Sequence, residues 1–475
     1  MTNKHLNYEV IMKFKLFILI TTIISLILLS GCENRDEDIP ETDISGQVTE
    51  LEETFAYGCT TKRFTDYMAK WADSLELDHS IDSYNNIIFT LPGTKAYEDV
   101  KDIIICCSYN PSDFYNDINN ISICKFLIEN AKEHGKLRII FLNNENDNQK
   151  GALNISTQYF PKDSQVIVLD SSYKTHASLN TGNQTKMSLE IPVSKCDDLY
   201  NTAFKISITG IKAGSFDEKV NSHPNPIKIL GELMAYLKMK SVAYKLVDIN
   251  YETDGGVYPI GCEITLLIND YSKSKFEGYM ESRIESFNED YLELYENIKY
   301  SYKETKIPEE AYDDESTENI VSLIYTITNG TSKDIDDTVY AISSITGFVK
   351  DDDKFTLNVL SNTRSKEAFS NLYEEISTVS TFVDAKLSID DTYDGYMGNM
   401  ESPLYSGLNN INNYVHNKEL KAYDTVRFTA NSYLANKNSN LDILHLFVNY
   451  EDAHDMAKTI NYYILKSNVK EESPI

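Results

Sequence analysis

Three short runs that are almost wholly apolar constrain the fold most. Residues 101–107 (KDIIICC), 136–142 (KLRIIFL) and 165–170 (QVIVLD) carry no regular polar face, and LDILHLF at 441–447 is similar. A strand buried on both sides of a sheet reads this way, whereas a strand with one wet face alternates. Amphipathic stretches lie around them. FTDYMAKWADSL has a period near 3.6 with Trp71, the only tryptophan, on its apolar side, and ISICKFLIENAKEHG is a second helix. This βαβ rhythm predicts an α/β layered domain. Cys106 and Cys107 fall inside the first run and read as buried thiols.

The middle of the chain changes character. FKISITG, PIKILGELMAYLK, YKLVDINYE and CEITLLIND predict a β-α-β-β run, and a long polar helix is expected at about 274–304. VYAISSITGFV and KFTLNVLSNTR are further strands, followed by a helix in SKEAFSNLYEEI. These strand-rich, antiparallel-looking segments predict an α+β domain at 176–385, inserted into an α/β domain made of 51–175 and 386–470.

The N-terminus reads as a bacterial lipoprotein signal over residues 1–31. Lys13 and Lys15 precede an apolar run from Leu16 to Leu29, too short to span a bilayer as a stable helix, and LSGC follows. Cleavage before Cys32 and lipid on that cysteine are the expectation, with translation starting at Met1 or at Met12. The stretch ENRDEDIPETD then predicts an acidic, solvated tether over 32–50. The place implied is the cell envelope, at a membrane reached through the Cys32 lipid; acidic residues after such a cysteine point weakly to the outer membrane or cell surface. A net charge of −29 argues against nucleic acid as a partner. The six later cysteines have the spacing of neither a zinc knuckle nor a dense disulfide frame.

Several segments together resemble the aminoacyl-histidine (Xaa-His) dipeptidases, a branch of the two-zinc peptidases. They include NNIIFTLPGTKAYEDVKDIII, HGKLRIIF followed ten residues later by GA, LIYTITNG…ISSITGFVKDDDKFTLNVLSNTRS, and YDGYMGNMESPL, where Tyr396 stands for a family tryptophan. The likeness runs from about residue 55 to 468. It implies a zinc-peptidase-like α/β/α sandwich with an inserted α+β lid or dimerisation domain, and hence a possible homodimer through the lid. It also implies two metal ions sharing a carboxylate and a water, whose proton passes to a neighbouring Glu.

The same resemblance assigns the site residue by residue. The first ligand His falls on Ser108, the bridging Asp on Asp117, the general-base Glu on Glu145, a metal Glu on Asn146 and a further metal Asp on Asp170. A lid His falls on Gly214, a family Arg on Arg364, and the loop holding the last ligand His is missing before Val448. Serine and asparagine are poor substitutes for imidazole and carboxylate on zinc. The bland readings are that Asp117 caps a helix starting near Asn119, Glu145 is a loop acid, Arg364 forms a surface ion pair and His445 packs in the core. Without a cation, Asp117 and Asp170 should repel, and their pKa values should rise. The expectation is therefore a dipeptidase-like protein with a degenerate metal site and no cofactor, binding a peptide or other small ligand. The alternative is a working metallodipeptidase with rearranged ligands, which would need zinc.

Overall fold

The computed structural model describes residues 41–466, apart from 96, 98–99, 146–148, 213–215, 217–220, 222, 255, 400 and 439. The expected signal, Cys32, Asn146 and Gly214 lie outside the described residues. Residues from Asp43 onward form one compact unit.

In chain order the strands are β1 (His79–Ile81), β2 (Ile87–Leu91), β3 (Ile103–Tyr109), β4 (Leu137–Asn143), β5 (Gln165–Ser171), β6 (His176–Ser178) and β7 (Asn183–Pro192). Then come β8 (Lys195–Cys196), β9 (Thr202–Thr209), β10 (Tyr244–Glu252), β11 (Gly261–Ile268), β12 (Lys299–Thr305) and β13 (Ala311–Tyr312). The last five are β14 (Gly330–Lys333), β15 (Val339–Lys350), β16 (Lys354–Thr363), β17 (Lys386–Tyr393) and β18 (Asp442–Val448).

The apolar runs form the centre of a seven-stranded sheet in the order β1-β2-β4-β3-β5-β18-β6. Its four inner strands, β4, β3, β5 and β18, are parallel, while β2 and β6 add to them antiparallel. Strand β3 shows why its run is continuous. Ile103, Ile105 and Cys107 enter the core on one face, and Ile104 and Cys106 enter the core on the other. Both thiols are fully buried, as read from the sequence.

Helix Phe114–Asn130 is buried almost all round, down to Lys125, because the sheet lies on one side and helices Ser45–Thr54 and Ala453–Lys466 pack against it. A helix with neighbours on every side needs no polar face.

The inserted domain carries a five-stranded sheet, β14-β15-β16-β7-β17, and a four-stranded one, β10-β11-β9-β12. They share one core with helices Pro226–Met239, Lys273–Tyr291, Asp314–Thr326 and Lys366–Phe382. The fold is thus an α/β domain with a mixed central sheet and separate antiparallel sheets in an inserted α+β domain.

Three boundaries differ from expectation. The helix expected at 274–304 stops at Tyr291, and β12 follows as a sheet-edge strand whose polar side chains face water. The insert begins at β7, since β6 joins the large sheet, and ends with β17, which pairs with β7 across about 200 residues of chain. Residues 45–50 are helical and packed, so the expected tether is shorter than 32–50. Ile44, Val48, Leu51 and Phe55 make one apolar stripe that the acidic residues between them obscure. Among the described residues no helix is long and apolar enough to cross a membrane.

Candidate functional site

Chain order runs from β3 to β4 on one side and then back to β5 on the other. That reversal opens a crevice beyond the carboxyl ends of the parallel strands, where ligands of open α/β sheets bind. A cleft of about 910 Å³ lies there. Ser108 at the end of β3, Asn144 just after β4, Asp170 in β5 and Phe447 in β18 all contribute to its walls, and Asp117 adds from the helix after β3. Sequence comparison alone had pointed to Ser108, Asp117 and Asp170, and the fold brings all three to this one cleft.

Asp117 sits inside the first turn of a helix that starts at Phe114, five residues earlier than read. It is no cap for a helix at Asn119. Its Oδ2 instead accepts a hydrogen bond from the Asn110 backbone N–H at 2.7 Å, tying the loop after β3 to the helix. A carboxylate in a first turn also meets the positive end of the helix dipole.

Glu145 is exposed, and its backbone N–H donates to Asn143 Oδ1 at 3.0 Å. Asn144, and not Glu145, lines the cleft. Arg364 follows β16 in the inserted domain. Its backbone N–H donates to Tyr340 O at 2.9 Å, and it is not among the residues lining the cleft.

The residue that sequence comparison missed is Arg427. Segment 421–427 runs beside β6 and the residues after it: Ala177 N–H donates to Lys421 O, Tyr423 N–H to Ala177 O, and Gly182 N–H to Arg427 O. The approach at Gly182 is so close that a Cβ would lie 2.0 Å from Val426 O, so any side chain there would force the strap away. The strap carries Tyr423 and Arg427 over the cleft. Arg427 Nη2 donates to Asp170 Oδ2 at 3.3 Å, and its guanidinium lies over the Phe447 ring at 5.1 Å.

His445 stands behind the pair. It is fully buried in β18 and stacks on Phe447 with ring centroids 4.2 Å apart. Its Nδ1 pairs with Thr429 Oγ1 at 3.2 Å, while Nε2 is 3.7 Å from Asp170 Oδ2, beyond hydrogen-bond reach. Burial lowers the His445 pKa against the pull of Asp170. For Asp170, burial acts to raise the pKa, but Arg427 first and then His445 outweigh it and hold the carboxylate below its ordinary value. The expected rise is therefore reversed at Asp170, because a side-chain cation lies beside it. His176 stacks on the Phe447 ring at 4.8 Å, and Lys174 Nζ lies 5.1 Å from the Tyr423 ring centre.

Solved structures with a similar fold include peptidases. Aminoacylhistidine dipeptidase from Vibrio alginolyticus matches with a TM-score of 0.56 at 12% identity, over 86% of this chain and 93% of that one. Aminopeptidase PepT from Bacillus cereus ATCC 10987 matches at 0.51 and 11%, over 90% and 100%. A tripeptidase from Staphylococcus aureus subsp. aureus Mu50 matches at 0.51 and 10%, over 91% and 100%. The likeness is one of fold. No protein-family model matches the chain, and no curated protein matches it in sequence.

The donor set does not suit the pair of metal ions that the sequence resemblance implies. Ser108 offers a hydroxyl where the resemblance places an imidazole, and Asp170 is engaged by Arg427. A guanidinium and a metal ion beside one carboxylate oxygen would repel each other. Among the described residues, no three His, Cys, Asp or Glu side chains gather closely enough to hold an ion.

Proposed function

We propose that this chain is a lipid-anchored envelope protein that uses a peptidase fold to bind a small ligand, such as a peptide, without hydrolysing it. The observation that carries the reading is the Arg427–Asp170 ion pair, which puts a fixed side-chain cation beside a carboxylate that the resemblance assigns to a metal. A guanidinium neutralises charge but cannot generate a hydroxide from bound water, which is the step a metallopeptidase needs. Glu145 is exposed and outside the cleft lining, a poor position for a general base acting on a ligand in the cleft. Because function belongs to the site and not to the fold, the peptidase architecture does not by itself argue for hydrolysis.

Metal analysis of the purified chain, together with an assay on β-alanyl-histidine, tests the proposal. Zinc well below one equivalent and no hydrolysis on zinc addition are expected. Stoichiometric zinc with turnover that Glu145→Gln abolishes would overturn it. The anchor is tested separately. Cys32→Ser is expected to move the protein from the membrane to the soluble fraction of expressing cells, and unchanged membrane association would remove the lipid from the proposal.

A further inference from the structure

Charge is spread unevenly over the wall of the cleft. Among the described residues lining it, five carry a carboxylate, and only Lys174 and Arg427 carry a fixed positive charge. Asp170, Asp424, Lys174 and Arg427 come from β5, the segment after it and the strap, and there the charges balance. Glu52, Asp113 and Asp117 come from the part of the wall that residues 52 and 108–144 supply, which has no lysine or arginine. His176 adds a positive charge only when protonated.

The acidic part lacks counter-ions. Asp113 is half-buried and accepts from Asn116 Nδ2 at 2.6 Å, but it forms no ion pair with any described residue. Burial pushes its pKa above the ordinary value, with the Asn116 amide and then His223 acting against that rise. The Glu52 side chain has neither a hydrogen bond nor an ion pair to any described residue. The N-terminus of helix Phe114–Asn130 supplies about half a unit of positive charge, too little to offset three carboxylates.

A second observation is independent of charge. Asn120, 2% exposed on that helix, directs its amide at the cleft wall, where Nδ2 donates to Ser171 Oγ at 3.0 Å. Its Oδ1 is buried and has no donor. A buried acceptor without a donor carries a desolvation cost that an incoming N–H group removes. Carboxylates without counter-ions and an orphaned amide oxygen suit a ligand that is positively charged and donates hydrogen bonds. A metal ion suits them less, because no three His, Cys, Asp or Glu side chains gather closely enough among the described residues.

We infer that the cleft binds a small organic cation, an amine or a guanidine, with its positive group among Glu52, Asp113 and Asp117. The rest of the ligand extends towards the charge-balanced side of the wall. The inference rests on the binding reading above and gives its ligand a charge.

Calorimetric titration of the purified chain with 4-aminobutanol, putrescine, agmatine and spermidine provides the test. Butane-1,4-diol serves as the uncharged counterpart, with calcium chloride and β-alanyl-histidine as comparisons. At least one of the four cations is expected to bind saturably, and the diol is not. Glu52→Gln/Asp113→Asn keeps side-chain shape and removes charge that lacks a counter-ion, so folding is preserved. The double variant should weaken binding about tenfold or more. Absence of binding by all four at millimolar concentration overturns the inference, as does binding that the double variant leaves unchanged or that the diol matches. Binding of calcium alone overturns the organic cation in favour of an inorganic one. Binding of the dipeptide alone overturns it and leaves the binding proposal standing. Zinc-dependent hydrolysis of the dipeptide defeats the binding proposal itself.

Discussion

Replacing Arg427 with methionine is expected to destabilise the protein by about 3 kcal/mol at neutral pH, because it leaves the Asp170 carboxylate buried without its cation. Methionine keeps most of the length and the contact with Phe447, so lost charge and not lost packing dominates. The pH dependence separates the two. In the wild type, Arg427 holds the Asp170 pKa below the unfolded value near 3.9, so the pair stabilises fully above about pH 4 and is lost as pH falls through the folded pKa. In the variant, burial is opposed only by His445 and by the Ser171 N–H that donates to Asp170 Oδ1 at 2.9 Å, and the Asp170 pKa should rise above the unfolded value. The penalty then exists where Asp170 is forced to ionise and fades as it protonates. Urea unfolding at pH 7 and pH 3.5 should therefore show a large gap between the proteins that narrows in acid. Arg427→Lys, which keeps the charge but loses the planar fork, should lie between them. An equal deficit at both pH values would mean that Arg427 acts through packing alone.

The parts that were legible in the sequence are those whose physics is local. Strands β3, β4 and β5 announce themselves because burial on both faces leaves each run almost wholly apolar, and Ile103 to Cys107 needs no partner to be recognised. Ser108 and Asp170, which the family resemblance singles out, each sit near the carboxyl end of such a strand. Arg427 was not legible. It lies in KAYDTVRFTA, which has no helical or strand period, and it reaches Asp170 only because the strap is hydrogen-bonded alongside β6, 257 residues distant in sequence from its partner. The expected rise in carboxylate pKa failed for the same reason, since nothing local discloses the cation. Strand β17 falls just beyond the expected insert, 176–385, because its partner β7 lies about 200 residues upstream, and its side chains are mostly exposed. Register between distant strands is set by the assembled sheet and leaves little trace in either one.

Leu51→Ala is expected to lower stability by about 3 kcal/mol, an effect that a solvated tether at this point could not produce. Leu51 and Phe55 are fully buried, and Phe55 packs against Phe114 with ring centroids 4.6 Å apart. Next to Leu51, Glu50 reaches Lys125, whose ammonium is sealed inside, at 2.7 Å, and Lys125 also lies over the rings of Tyr67 and Trp71 at 4.9 Å each. Glu50, at the end of the expected solvated stretch, is therefore the counter-ion of a buried lysine. The helix also reaches the cleft: Glu52 lines it, and Tyr115 O–H donates to Phe55 O at 3.3 Å. Detachment of the helix would release one rim tyrosine and uncover Lys125 to water. Hydrogen exchange over residues 45–55 and the urea midpoint should both report the loss in Leu51→Ala, while Glu53→Ala on the exposed face should stay within about 0.5 kcal/mol of wild type. If the two variants behave alike, the ordered body starts after this helix; if only Leu51→Ala is destabilised, the packed body begins by Ile44 and this helix helps to hold the cleft wall.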